Sequence, residues 1–282
     1  MRHFFACLAV SFVVFATACC GARTDLEIED AAQTDGGTLL ADAGSDAFVL
    51  PMVDAGTDAG TDAAVEIDAG SDCATRPIMH GDLIQASGPA VYYMAADGRR
   101  YVFPNEDTYY SWYPDFSGVC RIPDSVLATI WIGGNVTIRP GTFLVKILTD
   151  PKVYAISPRG LLHWIETETV ALDLYGPTWA HQIQDVPDSF FVNYTIGGSL
   201  STSVHADGQL VTYAGSPDIY LIEGGRRRLL APGAFEANDF QRFDARDPTI
   251  PFVVETAVIY PDGAPITGRI PLYAEPICEP CP

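Results

Sequence analysis

Val91-Tyr92-Tyr93-Met94-Ala95-Ala96-Asp97-Gly98-Arg99-Arg100-Tyr101-Val102-Phe103 is the stretch that decides the fold, because the chain carries it in two further copies. The second is Val153-Tyr154-Ala155-Ile156-Ser157-Pro158-Arg159-Gly160-Leu161-Leu162-His163-Trp164-Ile165, and the third is Ile219-Tyr220-Leu221-Ile222-Glu223-Gly224-Gly225-Arg226-Arg227-Arg228-Leu229-Leu230. Each opens on a β-branched residue and a Tyr, reaches a Gly, and resumes with an apolar pair. Runs rich in β-branched and aromatic residues on either side of Asp-Gly, Arg-Gly or Gly-Gly predict a β-hairpin, since such turns need positive φ at low cost.

The flanks repeat as well. Gly81-Asp82-Leu83-Ile84, Gly141-Thr142-Phe143-Leu144 and Gly208-Gln209-Leu210-Val211 open the three copies. Each hairpin leads into a short helical pattern: Thr108 to Tyr113 with Asn105 as N-cap, Val170 to Tyr175 after Thr167-Glu168 and before Gly176, and Ala234 to Ala237 after Pro232. Ile122-Pro123-Asp124-Ser125 and Val186-Pro187-Asp188-Ser189 stand 64 residues apart, as do Ile132-Gly133-Gly134 and Ile196-Gly197-Gly198. Asp262-Gly263 is the weaker third counterpart. A fixed period with a degenerate last copy is the mark of a repeat array. The expected fold is mainly β (α+β): three tandem β-hairpin plus short-helix repeats of about 64 residues, units about 80–139, 140–205 and 206–270, in one β-rich domain over 73–282.

The formal charge of −20 sits largely in one segment: Asp25 to Asp72 holds thirteen acidic residues and no Lys or Arg. Neutralising phosphates takes clustered Lys and Arg, so nucleic acid is not expected as a partner. Asp-Ala-Gly recurs at Asp42, Asp54, Asp58 and Asp68. Such a stretch has few large apolar groups to offset chain entropy, and residues 19–72 read as a disordered linker. Before it, Met1-Arg2-His3 and the apolar run Phe4 to Thr17 form a signal peptide over 1–18, too short to span a bilayer. Ala16-Thr17-Ala18-Cys19 resembles a bacterial lipoprotein signal, with Ala16 where Leu is usual. The resemblance implies lipidation at Cys19 and, with Cys20 next rather than Asp, the outer membrane or cell surface. Ordinary secretion with cleavage at the same bond is the alternative.

Four cysteines of the body, Cys73, Cys120, Cys278 and Cys281, are disulfide candidates in an exported chain, with three pairings open. Cys278-Glu279-Pro280-Cys281 lies in a C-terminal tail rather than at a helix start after a strand, which disfavours a redox pair.

The hairpin and the tail Leu174-Tyr175-Gly176 with Trp179 resemble a repeat of bacterial secreted and surface proteins, V-Y-x(4)-G-x-x-R-x-I followed by L-Y-G-x-x-W. Val153, Tyr154, Gly160 and Ile165 match it, His163 replaces the Arg in this copy, and coverage is roughly residues 80 to 266. The resemblance implies an extracytoplasmic module and supplies no catalytic residues.

No nucleophile elbow, zincin motif, phosphate loop or dinucleotide fingerprint is present. Ser201, Ser203, His205 and Asp207 share one polar stretch, but a triad takes its geometry from separated elements. Glu166 and Glu168 suggest a glycosidase pair, yet acids also favour a helix N-terminus and the first copy has Glu106 and Asp107 in the same place. The five histidines are scattered, so neither a metal site nor a cofactor is expected. Asn135-Val136-Thr137 and Asn193-Tyr194-Thr195 match the glycosylation triplet, a weak signal behind a bacterial leader. Small repeats need large residues for their own cores, and the Tyr and Trp recur at equivalent positions, so the aromatics read first as core and the Arg226-Arg227-Arg228 run as a solvated strand face. The candidate ligand-binding set is Tyr109, Tyr110, Trp112 and Trp164, where flat rings suit sugar faces, and Arg228 in the basic run. The expected role is a non-catalytic binding or scaffolding module tethered to the membrane by its N-terminal lipid, with a glycan or surface protein as partner. A hydrolase of cell-wall or extracellular polysaccharide and a structural spacer are the rivals.

Overall fold

The computed structural model describes residues 76–278, all within the stretch Ala63–Pro282. The leader, Cys19, the linker, Cys73 and Cys281 lie outside the described residues.

Strands β1 (Leu83–Gln85), β2 (Val91–Met94) and β3 (Arg100–Val102) form an antiparallel meander, with Tyr92 opposite Val102 and Tyr93 opposite Tyr101. Helix α1 (Glu106–Trp112) follows, then β4 (Val119–Arg121), the four-residue helix α2 (Asp124–Leu127) and β5 (Ile132–Asn135). β4 adds parallel to β1 and β5 parallel to β3, giving the order β4-β1-β2-β3-β5. The next sheet is built from β6 (Leu144–Ile147), β7 (Asp150–Ser157) and β8 (Leu161–Trp164). Helix α3 (Glu168–Tyr175), β9 (Ile183–Asp185), α4 (Asp188–Phe191) and β10 (Thr195–Ile196) complete it. Its order, β10-β8-β7-β6-β9, repeats the first with the same parallel additions. The third sheet holds β11 (Leu210–Thr212), β12 (Tyr220–Glu223), β13 (Arg226–Leu229) and, beyond α5 (Ala234–Ala237), β14 (Val253–Glu255), in the order β13-β12-β11-β14. Isolated parallel bridges from Arg227 to Asp262 and from Leu230 to Ile266 stand where the fifth strand would be. The chain is thus β-rich, with three mixed sheets and a few short helices ending in α6 (Pro271–Ala274). No helix among the described residues is long and apolar enough to cross a membrane.

Local chemistry accounts for these elements. The Asn105 side chain accepts from the Thr108 N–H at 2.9 Å and Thr167 accepts from Val170 N–H at 3.2 Å, capping α1 and α3. Gly176 ends α3 at φ 76. The two Pro-Asp-Ser segments each start a four-residue helix with Pro123 or Pro187 at the cap. The Ile-Gly-Gly segments lie on β5 and at the end of β10. There a side chain from the neighbouring strand crosses the backbone: a Cβ on Gly133 would enter the Tyr101 ring, and one on Gly197 would sit 2.9 Å from Leu161 Cδ1. Gly263 stands in the same relation to Arg228 Cγ, also at 2.9 Å.

The second and third sheets share their core, while the first sheet has clusters of its own. Val170, Ala171, Leu174 and Tyr175 of α3 pack with Leu144 and Ala155 of their own sheet and with Val211, Ile222 and Val254 of the next. Leu174, Val211 and Ile222 are fully buried, each contributing roughly 1.5–3 kcal/mol of transfer free energy.

Candidate functional site

Helical spacing settles the fate of the first aromatic cluster. Thr108, Tyr109, Ser111 and Trp112 form the inner face of α1. Tyr109 is 2 % and Trp112 3 % exposed, Tyr109 stacks on Phe116 at 4.3 Å between ring centres, and Trp112 Nε1–H donates to the Thr137 carbonyl at 2.9 Å. The Tyr109 ring face is covered by Phe116, while Trp112 lines an open hollow of about 780 Å³. Tyr110 is half-buried, with the Arg246 guanidinium 4.7 Å over its ring. Tyr109 and Trp112 belong to the first sheet's core and Tyr110 packs against it, as the reading of these aromatics as core residues of small repeats expects.

The basic run also has structural work. Arg227 lies over both the Tyr213 and Tyr220 rings and pairs with Asp262 at 2.7 Å. Arg228 pairs with Glu223 at 2.5 Å and donates to the Ala264 carbonyl at 2.9 Å, while Arg226 donates to the Asp262 carbonyl. The run ties β13 to the segment beside it.

The polar stretch between the second and third sheets does not converge. Ser203 Oγ donates to Asp173 at 2.8 Å, and Asp207 accepts from the Gly224 N–H. His205 is buried, with Nε2 donating to the Leu174 carbonyl at 2.8 Å and Nδ1 accepting from the Tyr260 hydroxyl at 2.7 Å. Burial pulls this imidazole down to about 4 from its ordinary 6.5. The native state therefore refuses a proton that the unfolded chain accepts, so stability is present above pH 6.5 and is lost as the pH falls toward 4. The expected loss from this residue between pH 7.5 and pH 5 is about 2 kcal/mol. Urea unfolding at the two pH values, compared with a His205→Gln variant whose acid limb is shallower by that amount, measures it. Asp207, whose carboxyl burial raises, works in the opposite sense and is common to both proteins.

Trp164 is placed differently. It ends β8 half-exposed, with Lys152 Nζ 5.3 Å from its ring centre. An open hollow of about 430 Å³ joins it to Trp179, on the 3-10 turn after α3, and to Glu166 and Glu168 at the start of that helix. Glu166 accepts from Ser199 Oγ, and Glu168 lies in the first turn of α3. Two indoles, an ammonium and two carboxylates around a shallow apolar floor suit a ligand with flat apolar faces and hydroxyl edges. Trp179 and Lys152 complete the site. The L-Y-G-x-x-W spacing flagged Trp179, but nothing in the sequence marked Lys152.

Two larger hollows, about 780 and 700 Å³, meet at Arg159 and Leu272. Asn135 and Asn193 line the first, joined to each other by an amide hydrogen bond of 3.2 Å. Cys120 is buried. Among the described residues, no three His, Cys, Asp or Glu side chains cluster as a metal site.

No protein-family model matches the chain, and no curated protein does. Among solved structures it is similar to a chain of the periplasmic assembly from the ESX-5 inner membrane complex, at 16 % identity over 72 % of this chain and 65 % of that one, with a TM-score of 0.18. A chain of an intact ESX-5 inner membrane complex gives 16 % identity, 69 % and 56 % coverage and a TM-score of 0.17. The chain spans less than two thirds of either neighbour, and likeness at that score carries no argument about fold or function.

Proposed function

We propose that this chain is an exported, membrane-tethered binding module built from three tandem copies of one unit of about 64 residues, and that it holds glycan without cleaving it. The observation that carries the binding role is the hollow in which Trp164 and Trp179 stand with Lys152, Glu166 and Glu168. Support for the tandem unit comes from the shared strand-pairing scheme of the three sheets. The lipid at Cys19 and the outer-membrane or surface address rest on the leader sequence. The non-catalytic role is supported by His205, whose two nitrogens are both engaged away from any serine.

Retention on isolated cell walls and on outer-membrane polysaccharide tests the reading. The protein is retained saturably at moderate salt, and Trp164→Ala weakens binding by about tenfold, the loss of one well-stacked aromatic contact. Tyr110→Ala leaves retention unchanged. Absence of retention on both materials defeats the glycan reading and leaves a spacer or a protein-binding role. The hydrolase alternative draws on Glu166 and Glu168 lining that same hollow; it requires released reducing ends that vanish in Glu168→Gln while retention persists.

A further inference from the structure

The charges around the Trp164 hollow are unevenly compensated. Lys152 lies 3.7 Å from Asp150 and 5.3 Å from the centre of the Trp164 ring, so its ammonium has both a counter-charge and an aromatic face. Glu166 accepts from a neutral hydroxyl, Ser199 Oγ, and Glu168 opens α3. Among the described residues neither carboxylate is paired with Lys or Arg. In the first copy one of the two acids at the start of α1, Asp107, is held by Arg246 at 2.8 Å. The dipole of α3 favours an acid in its first turn, which accounts for Glu168. Glu166 stands before the cap Thr167 and lacks that account.

Two carboxylates without a cation, in a hollow walled by two indoles, set the sign of what it takes. An anionic sugar meets like charge on entering. A neutral sugar offers the carboxylates hydroxyl donors, and an ammonium offers them N–H donors and opposite charge together. The indoles act in the same sense, because their negative faces attract a cation, as Lys152 over Trp164 already shows. They also cover the flat C–H face of a sugar ring. We propose that the ligand of this hollow is a glycan of amino sugars whose amines are free and protonated. Trp164 and Trp179 take the ring faces, and Glu166 and Glu168 take the ammonium. This rests on the Trp164 hollow being a glycan site and adds the charge that the glycan carries. Lys152 is the single cation of the lining among the described residues, so its charge opposes such a ligand.

The test is calorimetric titration of the full chain at about pH 6, where an amine is charged. The probes are trisaccharides of glucosamine, N-acetylglucosamine and glucose in the same linkage, with trilysine as an amine that lacks a sugar ring. The wild type binds the glucosamine trisaccharide about tenfold or more tightly than either neutral sugar, the worth of a charge-assisted contact. Glu166→Gln combined with Glu168→Gln removes that preference and keeps the neutral-sugar affinity. Glu106→Gln, exposed at the start of α1, leaves the preference intact. Lys152→Met keeps the apolar stem and removes the charge. It tightens glucosamine binding by about threefold, a gain that no folding defect imitates. Equal affinity of the wild type for the three sugars, or a preference for a neutral one, overturns the proposal and leaves a neutral-glycan site. Failure to bind any of them overturns the glycan reading with it. Trilysine bound as tightly as the glucosamine trisaccharide also overturns the proposal, by pointing to a basic peptide, and so does a preference that survives in the double variant.

Discussion

Arg139→Met lowers the free energy of unfolding by about 3–5 kcal/mol, or on the order of 10 °C in Tm for a domain of this size. Arg139 follows β5 and is 2 % exposed. Its guanidinium donates to the carbonyls of Asp239 and Asn238, each at 2.6 Å, and of Tyr273 at 2.7 Å. It lies between the rings of Trp112 and Phe240, 5.0 and 4.7 Å from their centres. Its own N–H donates to Ser111 Oγ at 3.0 Å. One residue thus joins α1, the turn after α5, and α6. Burial pulls the guanidinium down to about 10, still charged at neutral pH, and its acceptors among the described residues are all backbone carbonyls.

Two effects oppose each other in that substitution. Removing a buried charge recovers its desolvation cost, which is why some buried ion pairs can be replaced by apolar residues without loss. Here the acceptors are backbone carbonyls, which remain after the change, each costing about 1–3 kcal/mol when left buried without a donor. Three such groups outweigh the relief. Arg139→Lys is expected to fall between, since an ammonium lacks the planar fork that reaches three carbonyls while stacked on two rings. Urea unfolding of both variants decides the matter: a midpoint unchanged in Arg139→Met means that desolvation dominates and that the three segments are held by their apolar contacts alone.

Nothing in the sequence gave Arg139 away. It stands between Ile138 and Pro140, outside the hairpin copies, and a single cation in a connecting segment ordinarily faces water. What the sequence did disclose was local. The hairpins, the Asn105 cap, the helix start at Thr167-Glu168 and the stop at Gly176 depend on residues within a few positions of one another, and each formed where its residue types placed it. The parallel additions of β4, β9 and β14 join residues more than thirty positions apart, as with Leu83 and Val119, and have no local signature. The aromatic cluster shows the same boundary from the other side. Its helix was legible from Asn105, and the spacing of Tyr109 and Trp112 already put both rings on one face. Which face meets the core is a tertiary fact, and it turned those rings inward while leaving Trp164 at the surface.

The three glycines that open the copies separate a conformational requirement from a packing one. Gly81, Gly141 and Gly208 all have positive φ, at 91, 71 and 99. At Gly81 a Cβ would meet nothing within 4 Å. Gly81→Ala is therefore expected to cost only the backbone penalty, about 1–2 kcal/mol. At Gly141 a Cβ would run into the Gly208 carbonyl oxygen and lie 2.7 Å from Gln209 Cα. At Gly208 it would lie 2.6 Å from Pro140 Cβ. The two backbones cross here in contact, at the junction of the second and third sheets, and neither can yield as a flexible side chain would. Gly141→Ala adds that overlap to the same backbone penalty and is expected to cost about 3–5 kcal/mol in all. Because each glycine clears space for the other's segment, the costs do not add: once Gly141→Ala has forced the crossing apart, Gly208→Ala removes less than it does alone. A coupling of about 1 kcal/mol or more is expected from the double-mutant cycle, measured by urea unfolding. Equal costs at Gly81 and Gly141 mean that conformation alone demanded glycine at all three positions. A large cost at Gly141 that merely adds to that of Gly208 means that the two segments relax independently, and the crossing is then not a shared joint between sheets.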